Sequence, residues 1–226
     1  MKQFCPICEK PASAPDFLCQ ECREKVERYN RLQKCSLCGQ PKTTEPVCNS
    51  CKEQKPKFSL VQSCYHYDKE FRTALLDYKF HGRFYNAKGF SKLLLEKLKK
   101  TGLEPDCITA VPVGPKNYLK YGYNAPLELA FCMNRVLKLP CYPNLLRKKW
   151  FVKRQSTLPS HQRAKNVKGS YFINRFCAKK IKGKRILLLD DVFTTGATVS
   201  ECSRILKQNG ALEVYVLTFL GNASKE

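Results

Sequence analysis

Two adjacent acids, Asp190 and Asp191, follow the aliphatic run Ile186, Leu187, Leu188 and Leu189 and precede Val192, Phe193, Thr194, Thr195, Gly196, Ala197 and Thr198. Carboxylates accept hydrogen bonds from sugar hydroxyls but repel phosphate. Hydroxyls and backbone N–H groups converging on a glycine turn hold an anion, and a helix that starts there turns its positive end toward it. The run thus divides the labour that a phosphorylated sugar demands. Asp190 and Asp191 suit a ribose diol, while Thr194, Thr195, Gly196, Ala197 and Thr198 suit a 5′-phosphate and leave the other phosphate oxygens to Mg²⁺. These are the needs of phosphoribosyl pyrophosphate. The plainer reading, a tight turn with a threonine cap and solvated acids, leaves two carboxylates beside a hydrophobic strand end unexplained.

The order of strand, acid pair, threonine-rich loop and helix resembles the signature of type I phosphoribosyltransferases. The resemblance implies that the paired acids contact the ribose hydroxyls and the loop binds the phosphate. It also implies a second loop, after an early strand, that grips pyrophosphate. Residues Val113, Gly114, Pro115 and Lys116 stand where that loop is expected, with a glycine for close backbone approach and Lys116 and Lys120 for charge. An ordinary Pro/Gly turn explains the same residues equally well.

Four Cys-x-x-Cys pairs occupy the first quarter of the chain: Cys5/Cys8, Cys19/Cys22, Cys35/Cys38 and Cys48/Cys51. Two intervening residues let both sulfurs meet one tetrahedral ion, so each half of this duplicated segment is a candidate Cys₄ zinc ribbon. Units this short cannot bury a sufficient core alone, and the metal would supply folding free energy. Redox-active Cys-x-x-Cys is the rival, but it normally occurs once, beside a βαβ pattern. Consecutive pairs sharing an ion is the simplest scheme; a cross-braced one, first pair with third and second with fourth, is the alternative. Cys64, Cys107, Cys132, Cys141, Cys177 and Cys202 lack ligand spacing and read as small apolar residues. His66, His81 and His161 show no paired carboxylate or cysteine at useful spacing.

The elements that must position these groups follow from pattern. Consecutive aliphatics at 186–189 predict a central parallel strand covered on both faces. Residues 58–67, 107–111, 142–146, 169–173 and 214–219 have strand character, and residues 21–33, 71–80, 87–100, 125–139 and 197–208 read as helices. Strands alternating with helices imply an α/β fold with a mostly parallel sheet flanked by helices. The charged, proline-containing stretch near residue 56 divides the chain into a zinc-ribbon module, 1–56, and a phosphoribosyltransferase-like domain, 57–226.

Lys and Arg outnumber Asp and Glu by 41 to 19, a formal charge of +22, which favours phosphate-bearing partners. The excess is uneven, for residues 129–189 contain no acid. Within that span, residues 147–166 form a long basic polar segment of the kind that serves as a lid or binding loop. Arg147, Lys148, Lys149, Trp150, Lys153, Arg154, Arg163 and Lys165 are its candidates for closing over pyrophosphate or for tracking single-stranded DNA, with Trp150 stacking a base. A solvated cationic surface is the bland alternative. No apolar stretch approaches the ~20 residues of a membrane span, and the start lacks a secretory pattern, so the expected location is cytoplasmic.

A tandem Cys-x-x-Cys module ahead of this signature resembles the ComF family of competence-associated proteins over nearly the whole chain. Val111-Pro112-Val113, Lys120-Tyr121-Gly122-Tyr123-Asn124 and the series Arg147, Gln155, Leu158, Arg163 and Asn166 carry further likeness. Tyr121, Ala125 and Gly114 depart from the family pattern on the pyrophosphate side. The resemblance implies a type I phosphoribosyltransferase-like fold and a role in DNA uptake and natural transformation, with single-stranded DNA as partner and a site for phosphoribosyl pyrophosphate or ribose 5-phosphate. The other expectations are a Mg²⁺-dependent phosphoribosyltransferase on an unidentified acceptor, or a noncatalytic ligand-sensing adaptor for a DNA-processing partner such as a helicase.

Overall fold

The computed structural model of the protein describes residues 3–12, 17–41, 45–81, 83, 86–150 and 167–221. Its centre is a four-stranded, all-parallel sheet of β3 (Leu60–His66), β4 (Cys107–Ala110), β7 (Arg185–Val192) and β8 (Glu213–Gly221), in the order β3-β8-β7-β4. The unbroken aliphatic run lies on β7, in the interior of the sheet, as its pattern predicts. Leu187 and Leu189 enter one apolar cluster, with Phe71, Phe90, Leu94 and Met133; Ile186 and Leu188 enter the other, with Val199, Cys202 and Leu206. A strand whose successive side chains reach opposite cores needs no polar face.

Helices α3 (Lys69–Phe80), α4 (Asn86–Thr101) and α6 (Ala125–Leu137) supply the first cluster. Helix α8 (Ala197–Gln208) supplies the second. Local chemistry sets the starts: Asp68 accepts from the Phe71 N–H at 2.9 Å, and Asn124 caps α6 while donating to the Val111 carbonyl at 3.2 Å. These caps satisfy helix N–H groups that have no partner within the helix.

The zinc-ribbon segment comprises the short hairpin β1 (Gln3–Phe4) and β2 (Pro11–Ala12), α1 (Gln20–Arg31) and α2 (Asn49–Glu53). Its first half shares the α4-side core through Ile7, Phe17, Leu18 and Val26, and its second half shares the other core through Cys35, Cys38 and Cys51. Ion pairs fasten it further, Arg23 to Glu96 at 2.7 Å, Lys25 to Glu70 at 2.6 Å and Arg83 to Glu9. The Val61 N–H on edge strand β3 donates to the Leu37 carbonyl at 2.7 Å, so the second ribbon covers backbone that an open edge would expose. Gly39 makes this approach possible: its φ is +68°, and a Cβ there would stand 2.8 Å from the Val61 oxygen.

Two expectations need correction. Residues 142–146 and 169–173 do not extend the parallel sheet. The strands are β5 (Leu146–Lys148) and β6 (Tyr171–Ile173), an antiparallel ribbon of their own. Only Cys141 bridges to Ile108, after which Pro143, lacking an N–H, cannot continue the ladder. The Val113–Lys116 turn, in addition, runs directly into a helix, α5 (Pro115–Tyr121), with Gly114 as N-cap and a proline in its first turn. The short α7 (Arg175–Ala178) and a 3₁₀ turn, Lys179–Ile181, lead back to β7.

Candidate functional site

Asp190 and Asp191 occupy the carboxyl end of β7, where parallel α/β sheets place their ligands. Asp190 is 8% exposed, and one of its oxygens accepts from the Asp191 N–H at 2.9 Å. Burial, and then the charge of Asp191, pushes its carboxyl up to about 8, with Lys79 and Lys148 pulling the other way. Asp191 is ion-paired at 2.7 Å with Lys79, from the last turn of α3. Burial opposes the charge on Lys79, but the two aspartates outweigh it and hold its pKa above the usual lysine value.

The β5–β6 ribbon closes another side. Lys148 and Tyr171 face each other across it, with the Lys148 ammonium 5.1 Å from the Tyr171 ring centre. Burial raises the Tyr171 phenol; Cys202 and Asp190 add to that, and Thr198 works against it. Gly114 lies against the Lys148 stem, where an added Cβ would be 3.6 Å from Cδ. This end of the sheet thus gathers an acid pair, two lysines and a tyrosine.

The loop after β7 is shaped by Gly196, the N-cap of α8, at φ +74°. A Cβ there would come within 2.8 Å of the Phe193 ring, which packs edge-on against Phe58. The cap is this glycine rather than a threonine. Thr194 and Thr195 are exposed, and the Ala197 N–H reaches the Thr195 hydroxyl at 3.4 Å.

Other expected residues are dispersed. Val113, Gly114 and Pro115 are half-buried, whereas Lys116 and Lys120 are exposed. Arg147, Lys149 and Trp150 are exposed; Lys153, Arg154, Arg163 and Lys165, together with Gln155, Leu158, His161 and Asn166, lie outside the described residues. The histidine reading needs a correction. His81 does have a carboxylate partner, Asp77, one helical turn back, with Nδ1 2.9 Å from Oδ1. The pair is solvent-facing and lies on α3 near Lys79. Sequence reasoning missed Lys79 and Tyr171 as pocket residues. Lys79 closes a recognisable amphipathic helix, but nothing local signals that Asp191 is its partner.

The eight paired cysteines form two sulfur clusters, Cys5, Cys8, Cys19 and Cys22, and Cys35, Cys38, Cys48 and Cys51, each with all four Sγ atoms within 4.8 Å of one another. Consecutive pairs therefore converge, and the cross-braced alternative is not the arrangement found. Separations of 3.5 Å between the Cys8 and Cys19 sulfurs and 3.7 Å between those of Cys38 and Cys48 are far beyond a disulfide bond. They fit the edge of a tetrahedron of thiolates around Zn²⁺ with metal–sulfur bonds of about 2.3 Å. The donor set suits structural zinc, with no ligand position left for a substrate. Of the remaining six cysteines, Cys64, Cys107 and Cys202 are buried, as small apolar residues should be.

Residues 2–71 match the double zinc ribbon domain family. Over 220 residues the chain is 26% identical to the DNA utilization protein YhgH of Escherichia coli K12, covering 94% of each. It is 25% identical to Competence protein F of Haemophilus influenzae, covering 90% of each chain, and 26% identical to Competence protein ComFC of Bacillus subtilis, covering 85% of this chain and 79% of that one. The chain is thus a homologue of the proteins named YhgH, Competence protein F and ComFC. Solved structures similar to this chain include the glutamine phosphoribosylpyrophosphate amidotransferase of B. subtilis, at TM-score 0.40 and 22% identity. That match covers 58% of this chain and only 25% of the amidotransferase. The purine phosphoribosyltransferase of Pyrococcus horikoshii matches at TM-score 0.37 and 18% identity, over 62% of this chain and 85% of that one. These likenesses are distant. The α/β class is visible in the chain's own parallel sheet and flanking helices, with zinc ribbons at the N-terminal end. Among the described residues, no helix is long and apolar enough to cross a membrane.

Proposed function

We propose that this protein handles single-stranded DNA in the cytoplasm during natural transformation and carries a pocket for phosphoribosyl pyrophosphate or ribose 5-phosphate. The observation that carries the pocket is the gathering of Asp190 and Asp191 with Lys79, Lys148 and Tyr171 at one end of a parallel sheet. In this reading Asp190 and Asp191 hold the ribose diol, and residues 194–198 hold the 5′-phosphate. Val113, Gly114, Pro115 and Lys116 form the pyrophosphate side, and Lys148 reaches toward it from β5. The carboxylates and phosphate oxygens are hard donors of the kind Mg²⁺ takes, and the ion would neutralise phosphate charge as the ligand enters. Residues 1–56 act as the zinc-bound support and residues 57–226 as the phosphoribosyltransferase-like domain.

The DNA part draws on the acid-free stretch 129–189 and on relatives named for competence and DNA utilization. The deciding experiment is a calorimetric titration with phosphoribosyl pyrophosphate and Mg²⁺, repeated with an oligodeoxythymidine present. Saturable, Mg²⁺-dependent binding that Asp190→Asn with Asp191→Asn removes is the expected result. Unchanged binding by that double variant would eliminate the pocket, and equal titrations with and without DNA would mean two uncoupled functions.

A further inference from the structure

We infer that the outer face of the β5–β6 ribbon, continued onto α7, is a stacking platform for the bases of a single-stranded nucleic acid. This rests on the DNA-handling reading and gives that reading a surface. The ribbon has two unlike faces because side chains alternate along a strand. Leu146, Tyr171 and Lys148 turn inward, toward the core and the acid pair. Their neighbours Arg147 and Phe172, directly opposite each other in the register, turn outward. Phe172 is 42% exposed.

Phe176 is 92% exposed on the adjoining turn. Its backbone is well anchored. The Asn174 side chain accepts from the Phe176 N–H at 3.2 Å, the Asn174 N–H donates to the Leu145 carbonyl at 2.8 Å, and the Cys177 and Ala178 N–H groups return to the Asn174 oxygen. A lone exposed ring is ordinary, but Phe172 and Phe176 are both exposed, four residues apart and among cations, which makes a patch rather than an isolated residue.

The surroundings specify the occupant. Arg175, Lys179 and Lys180 are exposed on the same short segment, and the chain holds no acid between residues 129 and 189. Rings interleaved with cations on an acid-free surface match unstacked bases on a phosphate backbone, whose faces stack on aromatics while the phosphates meet the cations. A duplex keeps its bases inside and would use only the charges. The inner face of the same ribbon carries Lys148 and Tyr171, which lie beside the acid pair.

Fluorescence anisotropy of a labelled oligodeoxythymidine, titrated with full-length zinc-loaded protein at several salt concentrations, tests the platform. Phe172→Ala and Phe176→Ala should each weaken binding by about fivefold or more while leaving the salt dependence of the affinity unchanged. Arg147→Ala should instead make that dependence shallower by about one counterion. Phe176→Trp should retain affinity and add to the emission of the wild type's single tryptophan, Trp150, a second signal that the oligonucleotide quenches. Wild-type affinity in both alanine variants, or no quenching of Phe176→Trp beyond that of Trp150 in the wild type, would overturn the platform while leaving DNA binding itself standing. A wild-type protein that fails to bind the oligonucleotide at low salt would overturn both.

Discussion

The Lys79 ammonium lies 2.7 Å from an Asp191 oxygen, tying the last turn of α3 to the end of β7. Neither group is well exposed, and Asp190 adds a second carboxyl beside them. The acid pair therefore carries its own counter-cation. An acid pair this close to a strand end would otherwise repel itself, because two adjacent carboxylates cannot both ionise cheaply.

Removing that cation should be felt in stability. Lys79→Ala leaves Asp191 without its partner in a partly buried site, at an expected cost of about 1–3 kcal/mol. Lys79→Arg, which keeps the charge, should recover part of it. Urea denaturation of the zinc-loaded protein measures both; wild-type stability in the alanine variant would mean the ion pair contributes nothing.

The raised Asp190 carboxyl gives stability a definite slope with pH. Its folded value of about 8 lies above the ordinary 3.8, so between those limits the native state holds a proton that the unfolded chain has released. Native protonation exceeding unfolded protonation makes stability fall as pH rises. This contribution should be present below about pH 4 and lost progressively by about pH 8. Asp190→Asn, which cannot ionise, should flatten the melting temperature across that range and exceed the wild type at its upper end.

Gly196→Ala tests the phosphate loop. A Cβ 2.8 Å from the Phe193 ring at positive φ combines backbone strain with a clash, for an expected loss of about 1–3 kcal/mol. Binding of ribose 5-phosphate, read by titration, should weaken more than that of an oligonucleotide. Equal loss of both would indicate general unfolding rather than a distorted loop.

The zinc scheme can be separated by metal counting. Cys5→Ser with Cys22→Ser disables one cluster when consecutive pairs share an ion, and leaves one Zn²⁺ per chain. In a cross-braced module the same two substitutions would damage both sites. Elemental analysis of the purified variant distinguishes one residual ion from none. Because Ile7, Phe17 and Val26 belong to the α4-side core, chelation should also lower the melting temperature of the whole chain.

Much of the site was legible in the sequence for a local reason. An unbroken aliphatic run, an acid pair, a Thr/Gly turn and a helix are contiguous, so their geometry follows from strand and helix periodicity, and α8 spans 197–208 as expected. Cys-x-x-Cys spacing is equally local. The limits of that logic show at β5 and β6. Both have strand-like sequences, but which strand each pairs with depends on backbone partners far along the chain, and Pro143 redirects the path before Leu146.

What residue order alone determined is the chemistry available: an acid pair before a threonine-rich glycine turn, eight paired thiols and a basic middle. The tertiary structure decided who meets whom. It joined Lys79 to Asp191, faced Lys148 and Tyr171 toward the acids while turning Arg147 and Phe172 outward, and laid the second zinc ribbon along the edge of β3. The physical reason is that periodicity specifies which face of an element is apolar, whereas the partner of a buried charge or an unpaired strand edge is chosen by global packing.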